Sequence, residues 1–225
     1  MTKPNITAIV AITLDGKIAD RNGKSQWITG EEVRLHVHQL RNIFDCVMVG
    51  GATVVKDNSR LNVRGIPNSR DPIRVALDTN LYISPDAKIC KMGTGGQTII
   101  FCSEKAFAFK NNKYPKHVRL MPLEARSDLQ QSLELKEVLT VLAKEDILTV
   151  LCEGGGRLSS ALLRQGLVDE IHWVIAPKIM GDEKAIPAIA DAGKVLLDKC
   201  WRLDMVSVKQ FGSDTLIHGV INTQI

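Results

Sequence analysis

Long apolar runs are missing from this 225-residue chain: no stretch approaches the roughly 18 uninterrupted apolar residues that a bilayer crossing needs. Its opening, Met1-Thr2-Lys3-Pro4-Asn5, leads straight into a strand-like segment with no signal-peptide pattern, so a cytoplasmic protein without a membrane partner is expected. Cysteine is sparse and odd in number, at 46, 90, 102, 152 and 200, which leaves neither a disulfide framework nor a CxxC clip. Small buried thiols are the ordinary reading of such cysteines beside apolar runs. Zinc motifs are absent as well: there is no HExxH, and His36-Val37-His38 lacks the glutamate and paired cysteines of a nucleobase deaminase. No metal site is therefore expected. Charge of one sign is not in excess, since 29 basic residues face 25 acidic ones for a net +4, too little to predict nucleic-acid binding but enough for an anionic small molecule.

What is present is the composition of an ordinary globular protein, 44% apolar and 24% charged. Segments rich in valine, isoleucine and threonine alternate with helical patterns, which predicts an α/β fold. Strands are expected at Ile6–Thr13, Cys46–Val49, Ile73–Leu77, Thr98–Cys102, Val118–Met121, Leu148–Cys152 and Glu170–Ala176, and helices at Gly30–Asn42, Leu133–Lys144 and Gly156–Gln165. Thr29-Gly30-Glu31-Glu32 reads as a capping box and Gly166 as a helix stop. Trp201–Gln210 and Thr215–Asn222 flank Gly212-Ser213-Asp214 as a terminal hairpin. Without repeats, low-complexity tracts or a linker, residues 1–225 are expected to form one domain, with functional-length loops at 58–72 and 86–97.

The strongest chemical signal is Val150-Leu151-Cys152-Glu153-Gly154-Gly155-Gly156-Arg157-Leu158-Ser159-Ser160, a strand ending in an acid, then glycines, then a helix. Backbone N–H groups of such a turn approach an anion while the helix amino end adds partial positive charge. It is neither GxGxxG nor a P-loop, so a plain tight connection is the competing reading. Glu153, at the carboxyl end of a strand, points the balance toward a site. Gly50-Gly51 before Ala52-Thr53-Val54 repeats the geometry, with Thr53 as a hydroxyl donor; glycines that merely permit positive φ are the alternative. On the helix after Gly30, Val33, Val37 and Leu40 form a buried face, and Arg34, His38 and Arg41 a cationic one. Arg34 and His38 are read as solvated, whereas Arg41 with Arg64 is suited to clamp a phosphomonoester. Asp15-Gly16 is turn chemistry, Lys17 follows it among apolar residues, and Trp27 either fills the core or covers a ring system.

These pieces, in order, resemble the reductase domain of the riboflavin-biosynthesis deaminase/reductase family. The matching segments are 13–19, Ser25-Gln26-Trp27-Ile28-Thr29, Leu40-Arg41, Val49-Gly50 with Thr53-Val54, Leu61 with Val63-Arg64, 153–156, 166–170, and Ile175-Ala176-Pro177-Lys178 before Gly181. The resemblance implies a dihydrofolate-reductase-like α/β fold, with a central mostly parallel sheet flanked by helices and a C-terminal antiparallel hairpin. It also implies NADPH, a phosphoribosylamino-pyrimidine substrate reduced to the ribitylamino compound, and a homodimer. By matched position, Ser25, Arg41, Leu61, Arg64 and Glu153 would contact the substrate, with Lys17 beside its reacting end. Ala11, Trp27, Thr53, Asp57, Thr79 and Gly155, Gly156, Arg157, Leu158, Ser159, Ser160 and Ala161 would hold the cofactor, with the Gly50-Gly51 and Gly154 turns around its phosphates.

Asn58, Ser59 and Asn62 stand where the family pattern has aspartate, proline and threonine, which predicts a loop freer in conformation and a paralogue of altered substrate preference. No fused deaminase module is expected, as in stand-alone reductases. Reduction of another small heterocycle or carbonyl, and a non-catalytic nucleotide-binding paralogue, are the alternatives.

Overall fold

The computed structural model describes residues 3–91, 96–126, 132–190 and 197–222. In chain order its elements begin with β1 (Asn5–Thr13), β2 (Lys17–Ala19), α1 (Glu31–Ile43), β3 (Cys46–Gly50) and α2 (Gly51–Asp57). There follow β4 (Ile73–Leu77), β5 (Thr98–Ser103), α3 (Glu104–Lys110), β6 (Val118–Leu123), β7 (Ala125–Arg126), β8 (Ser132–Leu133) and α4 (Leu135–Lys144). The last are β9 (Thr149–Cys152), α5 (Gly156–Arg164), β10 (Glu170–Ala176), β11 (Ile186–Pro187), β12 (Arg202–Phe211) and β13 (Asp214–Asn222). This is the α/β class expected. Of the expected loop 86–97, Met92-Gly93-Thr94-Gly95 lies outside the described residues. No described helix is long and apolar enough to cross a membrane.

Two compact units divide the chain, one of residues 1–4 and 38–151, the other of residues 5–37 and 152–225. In the first, strands lie in the order β9-β3-β4-β5-β6, and β3 through β6 are mutually parallel. Strands covered on both faces lose the apolar-polar alternation and read as continuous apolar runs. Val47, Met48, Val75, Ile99, Ile100 and Phe101 are accordingly buried, joined by Val138 and Leu142 of α4. That helix starts at Leu135 rather than Leu133, because Ser132–Leu133 pair antiparallel with Ala125–Arg126.

In the second unit the order is β12-β13-β10-β1, with β1 parallel to β10 and the C-terminal hairpin antiparallel. Val33, Val174 and Leu216 pack together with Phe211, and Val10, Ile12 and Ala188 with Ile18, Trp173 and Ile175. Helix α5 ends as its sequence predicts: Gly166 takes φ +62, its N–H reaches the Leu163 carbonyl and that of Leu167 the Leu162 carbonyl, a Schellman motif. Helix α1 begins differently. Its first residue is Glu31, so Gly30 rather than Thr29 occupies the cap, and the Gly30 N–H donates to Asp214 Oδ2 at 2.6 Å. A carboxylate 184 residues away therefore meets a helix end for which a local capping box was expected. His172 of β10 is buried, and burial with His218 and His36 beside it pushes its pKa down to about 4, leaving a neutral imidazole at pH 7.

Candidate functional site

In the second unit, the turn after β1 is built by side chains. The Thr13 hydroxyl donates to Asp15 Oδ1 at 2.6 Å and accepts the Lys17 N–H at 3.0 Å. Asp15 also accepts the N–H groups of Met180 and Gly181 at 3.0 and 2.8 Å, and these bonds, the Thr13 hydroxyl foremost, hold its carboxyl far below the usual range. Asp15 thus pins segment 180–181 as well as making the turn. Lys17 Nζ approaches the Ala185 carbonyl at 3.5 Å, and Arg21 grips Asp182 through two bonds of 2.7 and 2.9 Å.

A cavity of about 260 Å³ is lined by Ala11, Ile18, Ser25, Trp27, Ile28, Thr29 and Arg34. Three of the residues assigned by resemblance, Ala11, Ser25 and Trp27, are brought together here. Trp27 does not fill the core: it is 64% exposed and has φ +70, a left-handed backbone that a bulky residue seldom adopts. Lys178 Nζ fixes that conformation by donating to the carbonyls of Trp27 at 2.6 Å and Ile28 at 2.8 Å. The guanidinium carbon of Arg34 sits 4.6 Å from the Trp27 ring centroid, a cation–π contact. Arg34 is exposed, as read from the sequence, and also forms part of this wall, donating to the Thr29 carbonyl at 3.3 Å. No local pattern signals this role, because Trp27 precedes α1 and its backbone is held by Lys178.

The glycine turn has the expected form: β9 ends at Cys152, Glu153 is half-buried, Gly155 caps α5, and no side chain caps that helix end. One of its glycines is explained by the protein itself. A Cβ on Gly156 would lie 2.6 Å from the Pro187 carbonyl oxygen and 3.0 Å from that of Ala188, so this position admits no side chain. Ser160 Oγ donates to the Gly156 carbonyl at 2.6 Å and accepts the Ala190 N–H at 2.8 Å. Ser159 is also buried, and its Oγ has no hydrogen-bond partner among the described residues. Arg157 is exposed, whereas Leu158 and Ala161 are half-buried.

In the first unit, the loop after α2 is tied to α1. Arg41 donates to the Asn62 carbonyl at 2.9 Å, the Arg64 N–H to His38 Nδ1 at 3.2 Å, and the Val63 N–H to Asp71 Oδ1 at 2.7 Å. His38, read from sequence as solvated, holds this loop. Arg70 closes the end of α1, reaching the carbonyls of Asn42 at 3.2 Å and Ile43 at 2.9 Å. The Arg64 side chain is exposed, Arg41 half-buried, and Leu61 buried with φ +54. A leucine held there is strained, a feature that gathers at functional sites. Of the three departures from the family pattern, Asn58 takes the left-handed cap of α2 at φ +43 and accepts the Lys88 N–H at 2.9 Å. Ser59 Oγ and Asn62 Oδ1 are buried without hydrogen-bond partners among the described residues. Gly50 caps α2 with φ −74 and ψ 144, and neither it nor Gly51 has positive φ. Thr53 and Thr79 are half-buried, Asp57 exposed.

The sequence profile of the RibD C-terminal domain matches residues 4–217. The chain belongs to the RibD C-terminal domain family. It is 32% identical over 219 residues to the riboflavin biosynthesis protein RibD of Actinobacillus pleuropneumoniae, and 34% over 215 to that of Aquifex aeolicus. These alignments cover 97% and 96% of this chain but 57% of each relative, so the chain spans little more than half their length. Among solved structures, a Thermotoga maritima diaminohydroxyphosphoribosylaminopyrimidine deaminase/5-amino-6-(5-phosphoribosylamino)uracil reductase superposes with a TM-score of 0.82 at 29% identity, over 98% of this chain and 57% of that one. The Saccharomyces riboflavin biosynthesis reductase Rib7 shares the fold, with a TM-score of 0.76 at 20% identity over 98% of this chain and 90% of that one. The family is the one that the segments from Thr13 to Gly181 resembled. Cys46, Cys90, Cys102 and Cys152 are buried, and burial pushes Cys90 and Cys102 up to about 11 and Cys152 to about 12, which makes these three poor nucleophiles.

Proposed function

We propose that this RibD-family chain, acting as a single reductase module over residues 1–225, is an NADPH-dependent oxidoreductase of riboflavin biosynthesis. Its reaction is reduction of a 5-phosphoribosylamino-pyrimidine to the ribitylamino compound. The observation that carries the reading is the cavity in which Ala11, Ser25 and Trp27 meet, walled by an exposed indole that Lys178 and Arg34 hold in place. At about 260 Å³ it suits one ring, not a whole dinucleotide. Residues of the chain fit the cofactor elsewhere too: helix ends at Gly50 and Gly155 carry no side-chain cap, which leaves N–H donors for phosphate oxygens. Thr53, Asp57, Thr79 and the segment from Gly154 to Ala161 complete the proposed cofactor set.

The nicotinamide supplies a hydride when bound. The substrate's opened sugar presents an imine at its anomeric carbon, and reduction adds hydride to that carbon and a proton to nitrogen. Lys17 is assigned to the reacting end as proton donor or charge stabiliser, with Glu153 on a sugar hydroxyl. Arg41 and Arg64 are assigned to the phosphate, and Ser25 and Leu61 to the rest of the substrate. A second reading, a paralogue of shifted substrate preference, is favoured by Ser59 and Asn62, whose side-chain oxygens have no hydrogen-bond partner among the described residues and stand at the departures from the family pattern. Following NADPH absorbance with the phosphoribosylamino-pyrimidine, its deaminated form and dihydrofolate decides between them. Oxidation with either pyrimidine supports the pathway reductase, oxidation with dihydrofolate alone supports the paralogue, and binding without oxidation refutes both.

We also infer a cytoplasmic homodimer. Strand β12 is the outer strand of its unit and leaves Met205 85% and Val208 67% exposed, an uncovered edge of the kind that sheets pair or protect. Sedimentation of the purified chain tests it.

A further inference from the structure

β10 and β13 run antiparallel in a register that sets His172 directly opposite His218. Opposed residues share a face with Cβ atoms about 4.5–5.5 Å apart, and the two imidazole centroids lie 4.4 Å from each other at 51°. Glu170, two residues before His172 on β10, projects to the same face. Its Oε2 is 3.1 Å from Nε2 of His218. One donor atom from each of the three lies within 4.8 Å of the others. A surface ion pair accounts for Glu170 and His218 alone. It leaves unexplained why a third donor, His172, is buried against them, where among the described residues its ring nitrogens meet a 3.5 Å approach from His36 Nε2 to Nδ1.

We propose that Glu170, His172 and His218 bind a divalent first-row transition-metal ion, and that this ion clamps the C-terminal strand β13 to β10. Two imidazole nitrogens with one carboxylate oxygen are a donor set for zinc, cobalt, nickel or copper rather than for magnesium or calcium. Bonds of about 2.0–2.2 Å in a tetrahedral site bring donors to roughly 3.3 Å from one another, so the set must contract modestly. Glu170 and His218 can move: their side chains are 35% and 34% exposed. The same exposure lets an ion in and leaves room for water to complete its coordination. His172 is the fixed member, stacked on His36 with rings 12° from parallel, and His36 in turn lies 4.9 Å from Phe211. Motif reading excluded metals because the usual signatures keep ligands close in sequence, whereas this set joins residues 48 apart through strand register. None of the three residues is used by the proposed reductase chemistry, so the two readings stand or fall separately.

The test uses the full chain, freed of metal with EDTA and titrated calorimetrically with zinc, nickel or cobalt chloride. One equivalent should bind saturably. At a hundredfold excess over Kd, the melting temperature should rise by about 5–10 °C and fall back with EDTA. Glu170→Gln and His218→Ala should each weaken binding by about tenfold or more, while His117→Ala and Cys200→Ser leave it unchanged. Cobalt should give visible bands without thiolate charge transfer. Absence of saturable binding overturns the proposal, as does unchanged affinity in the Glu170→Gln/His218→Ala double variant. If that variant fails to fold, cobalt-shifted NMR resonances of the wild-type chain decide. Shifts at the His172 and His218 rings support the site, and shifts elsewhere refute it.

Discussion

Gly50 and Gly51 are adjacent, yet alanine should do opposite things at them. A Cβ on Gly51 would lie 2.7, 2.9 and 3.1 Å from Cβ, Cγ and Cα of Asp78. Carbon atoms rest about 3.5–4.0 Å apart, so the methyl overlaps its neighbour by close to 1 Å, and Asp78 cannot retreat. Its Oδ2 accepts the Ile83 N–H at 2.7 Å, its N–H donates to Phe101, and its carbonyl accepts from Leu81. Overpacking of this kind costs about 1–3 kcal/mol, against a gain of up to about 1 kcal/mol from replacing glycine in a helix. Gly51→Ala should therefore lower stability by roughly 1–2 kcal/mol, or about 2–8 °C in melting temperature for a chain of this size. Gly50 has nothing within 4 Å of its would-be Cβ and an ordinary extended backbone. Gly50→Ala should leave stability unchanged or raise it by about 0.4–1 kcal/mol. Urea unfolding followed by circular dichroism separates the two. Equal midpoints would refute the claim that a close approach, rather than backbone freedom, fixes glycine at 51. In the same pair, loss of NADPH affinity in a stable Gly50→Ala protein would support the assignment of this turn to a phosphate.

Arg64→Ala should raise the Michaelis constant for the phosphorylated substrate and leave NADPH affinity intact, because the exposed guanidinium is assigned to the phosphate alone; an unchanged constant removes the clamp. Lys17→Ala should cut turnover far more than it weakens NADPH binding, and steady-state rates beside a cofactor titration read both. Trp27→Ala should weaken NADPH by about 2- to 30-fold through loss of ring stacking and the Arg34 contact, measured by calorimetry. Asp45 accepts the Leu148 and Thr149 N–H groups and the Thr149 hydroxyl at 3.0, 2.9 and 2.9 Å. Burial alone would raise its pKa, but these bonds with Arg70 outweigh it and hold the carboxyl below its ordinary 3.8. A folded value below the unfolded one means that its stabilisation is complete above about pH 4 and is lost as pH falls through the folded value. Asp45→Asn should cost about 1–3 kcal/mol at pH 7, with the gap from wild type closing on acidification in unfolding curves between pH 6 and 2.5.

Strands were legible where branched apolar residues dominate a short run: Ile73–Leu77 and Glu170–Ala176 have the expected bounds although they carry Arg74, Glu170 and His172. Helix α2 was not, since Gly51 and the β-branched run Thr53-Val54-Val55 argue against a helix that packing nonetheless imposes on seven residues. Helix α3 did carry a local signal, Ser103 accepting the Ala106 N–H at 3.1 Å, in a segment just past the expected strand Thr98–Cys102 to which no element was assigned. The same division runs through the candidate site. The glycine turn between β9 and α5 could be read because its strand, acid, glycines and helix are contiguous. Trp27 could not be decided between core and wall, because its exposure depends on a positive φ held by Lys178, 151 residues on. His38 and Arg34 were read as solvated for the same reason: the partner of one lies 26 residues ahead, and that of the other is displayed only by the Lys178 clasp. A charged helix face looks alike in sequence whether it meets water or a neighbouring loop. What separates the two is a tertiary contact, and the polar residues whose roles were missed here are those whose partners lie beyond a helical turn.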